Sequence, residues 1–380
     1  MTRKKIIFFA DWFEPGYKAG GPIRSVANMV KVLSKYHEIF VVTRNTDFNS
    51  TTPYENIKPN TWIKEDWGAV KYFAETELTE DNFASIFKEI QPDYIHLNSF
   101  FSPKFTLLPL KLAKKNQVKS ILAPRGMLGA GALAIKKLKK SIFIKQAKLR
   151  GIYKDVIWHA STEMELNEIQ HVFGEKAKIK VAINLTHAEL GSPEELSNKK
   201  DKEKIRFVFL SRISEKKNLK FALSLFQNIS NPEKMSFDIF GPIEDDDYWK
   251  SCQEIIKKLN IDVQYHGELT YEEVKPTFEK YHCMILPTQH ENFGHVFIES
   301  WANGCMTLIS DQTPWRNLQS QQVGFDLPLD KRDEFVKSIE EISQYSPQEI
   351  DARIKHCVEF SRSIIWNEEN IQKNLNLFDE

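Results

Sequence analysis

The amino-acid sequence predicts an α/β protein built from two doubly wound domains, each a largely parallel sheet with helices on both faces. Three observations lead there. Short apolar runs alternate with stretches of 3.6-residue apolar periodicity along most of the chain, the pattern of βαβ units. The polar, aperiodic residues 191–204 interrupt that alternation and read as a linker. A chain of 380 residues is long for one core and suits two of roughly 180. The expected division is a first domain at 1–190, a linker at 191–204, a second domain at 205–364 and a final helix at 365–380.

In the first domain, residues 6–10 read as a buried strand. A loop containing Gly20 and Gly21 follows, then a helix at 22–34 with Pro22 in its first turn, where a missing N–H costs nothing. Strands are expected at 39–43, 70–74, 94–97, 120–123, 156–160 and 179–183. Helices are expected at 81–90, 105–115, 131–150 and 162–173. A less regular, Trp-containing stretch runs to about residue 68.

The alternation restarts after the linker. Strands at 206–210, 236–240, 263–266 and 283–286 are separated by helices at 219–229, 248–259 and 271–281. The apolar runs 284–287 and 306–309 then bracket a loop and a helix at about 295–303. That helix carries Val296, Phe297, Ile298, Trp301 and Ala302, with Glu299 in their midst. A carboxylate in such surroundings needs partners, because burying it alone costs several kcal/mol. Glu291 stands in the loop ahead of it. Ligands of doubly wound sheets sit beyond the carboxyl ends of the strands, so the expected site is a central cleft faced by both domains.

Composition narrows the class. With 41% apolar residues and balanced charge, the chain is neither disordered nor fibrous. The balance hides an asymmetry: residues 1–190 hold 29 Lys and Arg against 19 Asp and Glu, a net of +10, leaving 23 against 33 for the rest. A basic half suggests an anionic partner, although nothing points to nucleic acid. Cys252, Cys283, Cys305 and Cys357 show no CxxC spacing, which argues against a zinc site or a disulfide framework. The apolar run near the start ends at Asp11, too early for a signal peptide. No stretch approaches the ~18 apolar residues of a membrane span. The expected location is the cytosol.

Three constellations could carry chemistry. Gly20 and Gly21 precede a helix, where backbone can approach a ligand and helix N–H groups can meet an anion. Arg212 and Lys217 follow the second domain's first strand and suit a diphosphate, Arg as a planar fork and Lys as a point charge. Glu291 and Glu299 could accept from sugar and ribose hydroxyls, with loop amides around Asn292–His295 facing developing negative charge.

In this order and at these separations, Gly20-Gly21, Arg212 with Lys217, and Glu291-x7-Glu299 resemble the retaining nucleotide-sugar glycosyltransferases of the GT-B fold, family 4. The resemblance runs over nearly the whole chain and includes Gly241-Pro242, the Gly267 region, the Asn184 turn and the last helix. It implies two Rossmann-like domains, with the terminal helix crossing back to the first. Pro124-Arg-Gly-Met-Leu128 resembles a subgroup that makes bacterial surface polysaccharides. By resemblance, Gly20, Gly21 and Gly241 line the donor, Arg212 and Lys217 neutralise the departing diphosphate, Glu291 with Asn292, Phe293, Gly294 and His295 holds the sugar, and Glu299 holds the ribose. No metal and no cofactor is implied; the nucleoside-diphosphate sugar is the substrate, and the acceptor is a glycan or lipid-linked glycan. Arg24, His96 and Arg125 are candidates for the acceptor side.

The sequence departs from the family at one position. The family often carries His-x-His at the end of the fourth strand; here His96 holds the first position and Asn98 the second. Asn donates and accepts hydrogen bonds but cannot become cationic, so Asn98 is the catalytic candidate there. His96 itself is more often a packing residue of the strand. Asp245-Asp-Asp247 imitates a metal motif, yet sits in a polar loop where a helix start is the simpler reading. The pattern at 131–150 carries seven cations and no acid, with Leu133, Leu138, Ile142 and Leu149 as an apolar stripe. Basic amphipathic helices bind anionic membrane surfaces, although a packed helix with a solvated basic face fits equally. Two other functions share these residues: a sugar-nucleotide 2-epimerase, and a nucleotide-sugar-binding scaffold without catalysis.

Overall fold

Runs of Ile, Phe, Val and Leu four to seven residues long make strands that need cover on both faces, as parallel strands do. In a computed structural model of the chain, which describes residues 3–365 and 367–379, these runs form two sheets. The strands are β1 (Lys5–Phe9), β2 (Glu38–Arg44), β3 (Trp62–Glu65), β4 (Gly68–Phe73), β5 (Tyr94–Leu97), β6 (Lys119–Leu122), β7 (Ile157–Ala160), β8 (Ile179–Val181), β9 (Ile205–Leu210), β10 (Met235–Phe240), β11 (Asp262–Tyr265), β12 (Cys283–Leu286), β13 (Met306–Ser310) and β14 (Gly324–Leu327). The chain divides into two compact units: Met1–Thr186 with Asn367–Glu380, and His187–Trp366.

The first unit's sheet has the order β3-β4-β2-β1-β5-β6-β7-β8. It is parallel except for the edge strand β3, which runs against β4. The two-residue period of a strand sorts β1 onto two cores. Ile7 and Phe9 join Phe83, Phe87, Phe105 and Trp158 on one face. Ile6 and Phe8 join Val26, Met29, Val30 and Leu33 of the helix Gly21–Leu33 on the other. That second face also takes Leu377 and Phe378, both fully buried. Lys180 ties the returning segment by donating to the carbonyls of Asn376 and Asp379 at 2.7 Å each.

The second unit's sheet, β11-β10-β9-β12-β13-β14, is parallel throughout. Its chain order reverses between β9 and β12, the topological switch point where doubly wound sheets bind ligands.

Several sequence expectations change. Residues 191–204 are not a bare linker: they contain the helix Pro193–Lys199, and Leu196 packs on Ile354 and Val358. One apolar residue has no visible period, and the neighbouring helix Pro347–Ile365 supplies the rest of that small core. The Trp-containing stretch before residue 68 supplies β3, with Trp62 edge-on to Phe40 at 5.5 Å. The expected terminal helix is two elements, because Ile365 ends the preceding helix and Glu368–Leu375 begins afresh at the N-cap Asn367. The pattern at 131–150 breaks into Ala130–Ala134 and Lys137–Leu149, with Lys136 left-handed between them. Like charges at Lys136, Lys139 and Lys140 fall at helical i, i+3 and i+4 spacing and disfavour continuity. Lys140 instead donates to the Ala132 carbonyl.

Candidate functional site

At the switch point of the second unit, the loops leaving β9 and β12 are stitched together by backbone. The Lys216 carbonyl accepts from Gln289 N at 2.9 Å and from Thr288 Oγ1 at 3.0 Å. Asn218, left-handed at φ 61, donates its side-chain amide to the Pro287 carbonyl at 3.0 Å. These ties bring Lys217 to Glu291, with 2.5 Å between Nζ and Oε2. Only 11% and 17% of the two side chains are exposed. Burial raises the Glu291 carboxyl, but the cations of Lys217 and Lys216 outweigh it and hold the group down at about 2. Glu291 is thus a fixed anion and acceptor at neutral pH.

Gly294 ends this loop as the left-handed N-cap of the helix His295–Ala302, at φ 80. A Cβ there would lie 2.4 Å from the Phe297 ring and 3.1 Å from Glu291 Cγ, so only glycine lets the helix start beside the carboxylate. Phe297, Ile298, Trp301 and Ala302 are fully buried, and Trp301 Nε1 donates to the Val323 carbonyl at 3.1 Å. Glu299 is not in that buried set. One turn after Val296, it shares the partly buried side of the helix, because four apolar residues cover only the opposite faces. The carboxylates of Glu291 and Glu299 therefore sit on one loop-and-helix unit. His295 and Phe293 are buried against each other, ring centroids 4.8 Å apart.

Arg212 is positioned by a second stitch. Ile213 N donates to the Pro242 carbonyl at 2.9 Å and Glu244 N to the Ile213 carbonyl at 3.1 Å. Gly241 makes this close approach feasible, since a Cβ would lie 1.9 Å from the Ser211 carbonyl oxygen. Arg212 Nη1 consequently pairs with Glu244 at 2.8 Å, both side chains a third exposed. An exposed pair of this kind is worth about 0–1 kcal/mol and yields readily to a stronger anion. Asp245 caps the helix Asp246–Ile256 by accepting from Tyr248 N at 2.9 Å, and Asp247 pairs with Lys250; the Asp triplet is a helix start.

In the first unit the chain order reverses between β1 and β5. Gly20 and Gly21 follow β1, and the space around both is open, with nothing within 4 Å of a built Cβ. Gly20 is the N-cap of the helix Gly21–Leu33, and Asp47 holds the loop by accepting from Tyr17 N and Lys18 N. Arg24, in the same first turns, lies 3.5 Å from Glu14.

Asn98, at the end of β5, donates to the carbonyls of Phe9 and His96 and accepts from Arg125 Nη2 at 2.8 Å. Arg125 Nη1 donates to Asn184 Oδ1. Burial pulls the Arg125 guanidinium down to about 10, a cation whose Nη partners here are amide oxygens.

His96 does not reach an acceptor. It is fully buried, stacked 4.8 Å from Phe8, and lies 3.1 Å from His159. The network fixes both tautomers. His159 Nε2 faces the Ala182 carbonyl at 2.8 Å and must donate, so His159 Nδ1 accepts from His96 Nε2. Its place midway along the sheet interior, facing Phe8 across the β1–β5 pair, makes His96 a core residue.

Two residues of this region escaped the sequence reading. Glu165 is fully buried and accepts from Gly126 N at 2.7 Å and from Ser161 N and Oγ at 2.8 and 2.7 Å, fixing the Arg125 loop. Thr162-x-x-Glu165 reads as a capping box, of which only the Thr162 half forms, accepting from Glu165 N at 3.1 Å; the carboxylate turns to Ser161 and Gly126 instead. Asp11 accepts from Ser102 Oγ at 2.9 Å and pairs with Arg44 at 3.3 Å; no local pattern marks it.

Residues 194–355 match the family described as Glycosyl transferases group 1. A protein of Klebsiella pneumoniae, described as an uncharacterized 41.2 kDa protein in the cps region, is 26% identical over 284 residues, 70% of this chain and 75% of that one. The sucrose-phosphate synthase of Thermosynechococcus elongatus superposes with a TM-score of 0.75 at 14% identity, covering 99% of this chain and 98% of that one. Anabaena Alr3699/HepE, solved with UDP-glucose, gives 0.71 at 14% identity, covering 98% and 99%. The chain has the GT-B fold, and most of its second unit matches the group 1 glycosyl transferases.

Proposed function

We propose that this protein is a retaining, metal-independent glycosyltransferase of family 4, which moves a hexose-type sugar from a nucleoside diphosphate to an acceptor hydroxyl. The observation that carries the reading is the Lys217–Glu291 pair at the switch point, with Glu299 on the helix that begins beside it. A nucleotide sugar suits this set group by group. Its diphosphate takes Lys217 and Arg212, its sugar hydroxyls donate to Glu291, and its ribose diol donates to Glu299.

In the reaction, the bond from the sugar's anomeric carbon to the diphosphate oxygen breaks. A bond from the acceptor oxygen forms on the same face, and the acceptor's proton passes to the departing phosphate oxygen. Lys217 and Arg212 stabilise the charge that grows on that phosphate. The same reading gives Asn98 a catalytic part and assigns Arg24 and Arg125 to the acceptor. Gene context around the Klebsiella relative supports a role in capsule, O-antigen or exopolysaccharide assembly. A lipid-linked glycan acceptor would place the reaction at the inner, cytosolic face of the cell membrane.

A screen of nucleotide sugars by thermal shift identifies the donor, because binding stabilises by mass action without an acceptor. Transfer is then measured with Lys217→Ala and Glu291→Ala. Unchanged transfer in either variant would refute the reading. Epimerised donor in the absence of acceptor would replace it with the 2-epimerase.

A further inference from the structure

The segment 130–150 is apolar on two opposite sides. Inward, Phe143 packs edge-on to Phe100 at 5.9 Å and tilted against Phe101 at 5.5 Å, and Leu133 and Ile144 lie against the same core, with Ala147 buried in it. Outward, Leu138, Ile142 and Leu149 are 74, 49 and 88% exposed, and Ile135 before the helix is 61% exposed. Spacings of four, three and four residues put Leu138, Ile142, Lys145 and Leu149 on one stripe, facing away from Ala147. Among the described residues the largely exposed Leu and Ile side chains are these four and Ile243. The expected single stripe is therefore two: Leu133 belongs to the core and the others do not.

Lys136, Lys137, Lys139, Lys145 and Arg150 accompany the outer stripe, whereas Lys148 lies over the Phe173 ring at 5.6 Å, and residues 130–150 contain no Asp or Glu. We propose that the outer face of the helix Lys137–Leu149, with Ile135, docks on an anionic lipid bilayer. The aliphatic side chains enter the headgroup boundary, and the lysines extend their stems along it to anionic headgroups. Charge complementarity selects this occupant: a protein partner would meet an aliphatic stripe crowded by unopposed cations, whereas anionic lipid answers both features. In the described residues no helix is long and apolar enough to cross a membrane, so docking lies in the surface plane. The inference does not depend on sugar transfer, and its test reads binding alone.

The full-length protein is sedimented with phosphatidylcholine vesicles with and without phosphatidylglycerol, at low and high salt. Binding is expected only with phosphatidylglycerol and falling with salt. Lys139→Gln/Lys145→Gln should weaken it on the order of ten-fold or more, from about five-fold per cation. Leu138→Gln/Ile142→Gln/Leu149→Gln should abolish it with an unchanged melting temperature, since none of the three packs inward. No binding, equal binding to neutral vesicles, or binding indifferent to both variants would overturn the proposal. So would a dimer, seen by light scattering, that the outer-face variant dissolves.

Discussion

Lys217 and Glu291, 74 positions apart in sequence, meet at 2.5 Å across the switch point of the second sheet. A cation suited to phosphate and an anion suited to hydroxyls neutralise each other until a ligand satisfies both. Removing either charge strands the other in a nearly closed site. Lys217→Met or Glu291→Gln should each lower the unfolding free energy by about 1–3 kcal/mol and the kcat of sugar transfer about 10²–10³-fold. The double variant should regain much of the stability and none of the activity, which urea unfolding and a transfer assay separate.

Glu291 also sets a pH dependence. Its carboxyl lies at about 2, against 4.5 ordinarily. A folded-state value below the unfolded one stabilises fully above pH about 4.5, and the gain vanishes as pH falls toward 2. The difference is on the order of 3 kcal/mol at neutral pH. Urea unfolding at pH 7 and pH 3 should show a smaller acid loss in Glu291→Gln than in the parent. Equal losses would contradict the assignment.

The buried imidazoles of the first unit make a separate prediction. Burial and the Arg125 cation push His159 down to about 3, and burial and His159 push His96 well below its usual range. Both rings should stay neutral at pH 5 in an NMR titration, with nitrogen shifts showing His96 Nδ1 and His159 Nδ1 unprotonated. Because protons bind the unfolded rings more readily, stability should fall as pH drops below 6.5. A ring titrating near 6.5 would mean the pair is open to solvent.

Lys200 turns a supposed linker into structure. It is 5% exposed, and its Nζ donates to the Tyr281 carbonyl at 2.6 Å, with the carbonyls of Phe278, Glu279 and Asn303 at 3.4–3.5 Å. Lys200→Met keeps the stem and removes the donor, so buried carbonyls lose their partner. The expected cost is about 2–4 kcal/mol, read as a lowered midpoint of urea unfolding.

Much was legible in the sequence because it is local. The β and α periods of 2 and 3.6 residues gave the alternation of elements in both units, and the glycines, cations and carboxylates of the candidate site announced themselves by type and spacing. Thr162-x-x-Glu165 is equally local, but the Glu165 partner Gly126 lies 39 residues away. What lay out of reach depends on which surfaces meet. Nothing within the sequence around Glu299 shows that its side of the helix is only partly buried, or that Leu196 has a partner 158 residues later in Ile354. For His96 the sequence favoured packing over the acceptor side, and the β1–β5 register, which sets it against Phe8, agrees. The stripe at 133–149 looked single until packing divided it. By itself the sequence determined the two βαβ series and marked candidate residues for a nucleotide sugar, because backbone period and side-chain chemistry are properties of short segments. Only tertiary structure decided that Lys217 faces Glu291, that His96 belongs to the core and that Leu138, Ile142 and Leu149 face solvent, because burial and pairing are set by neighbours distant in the chain.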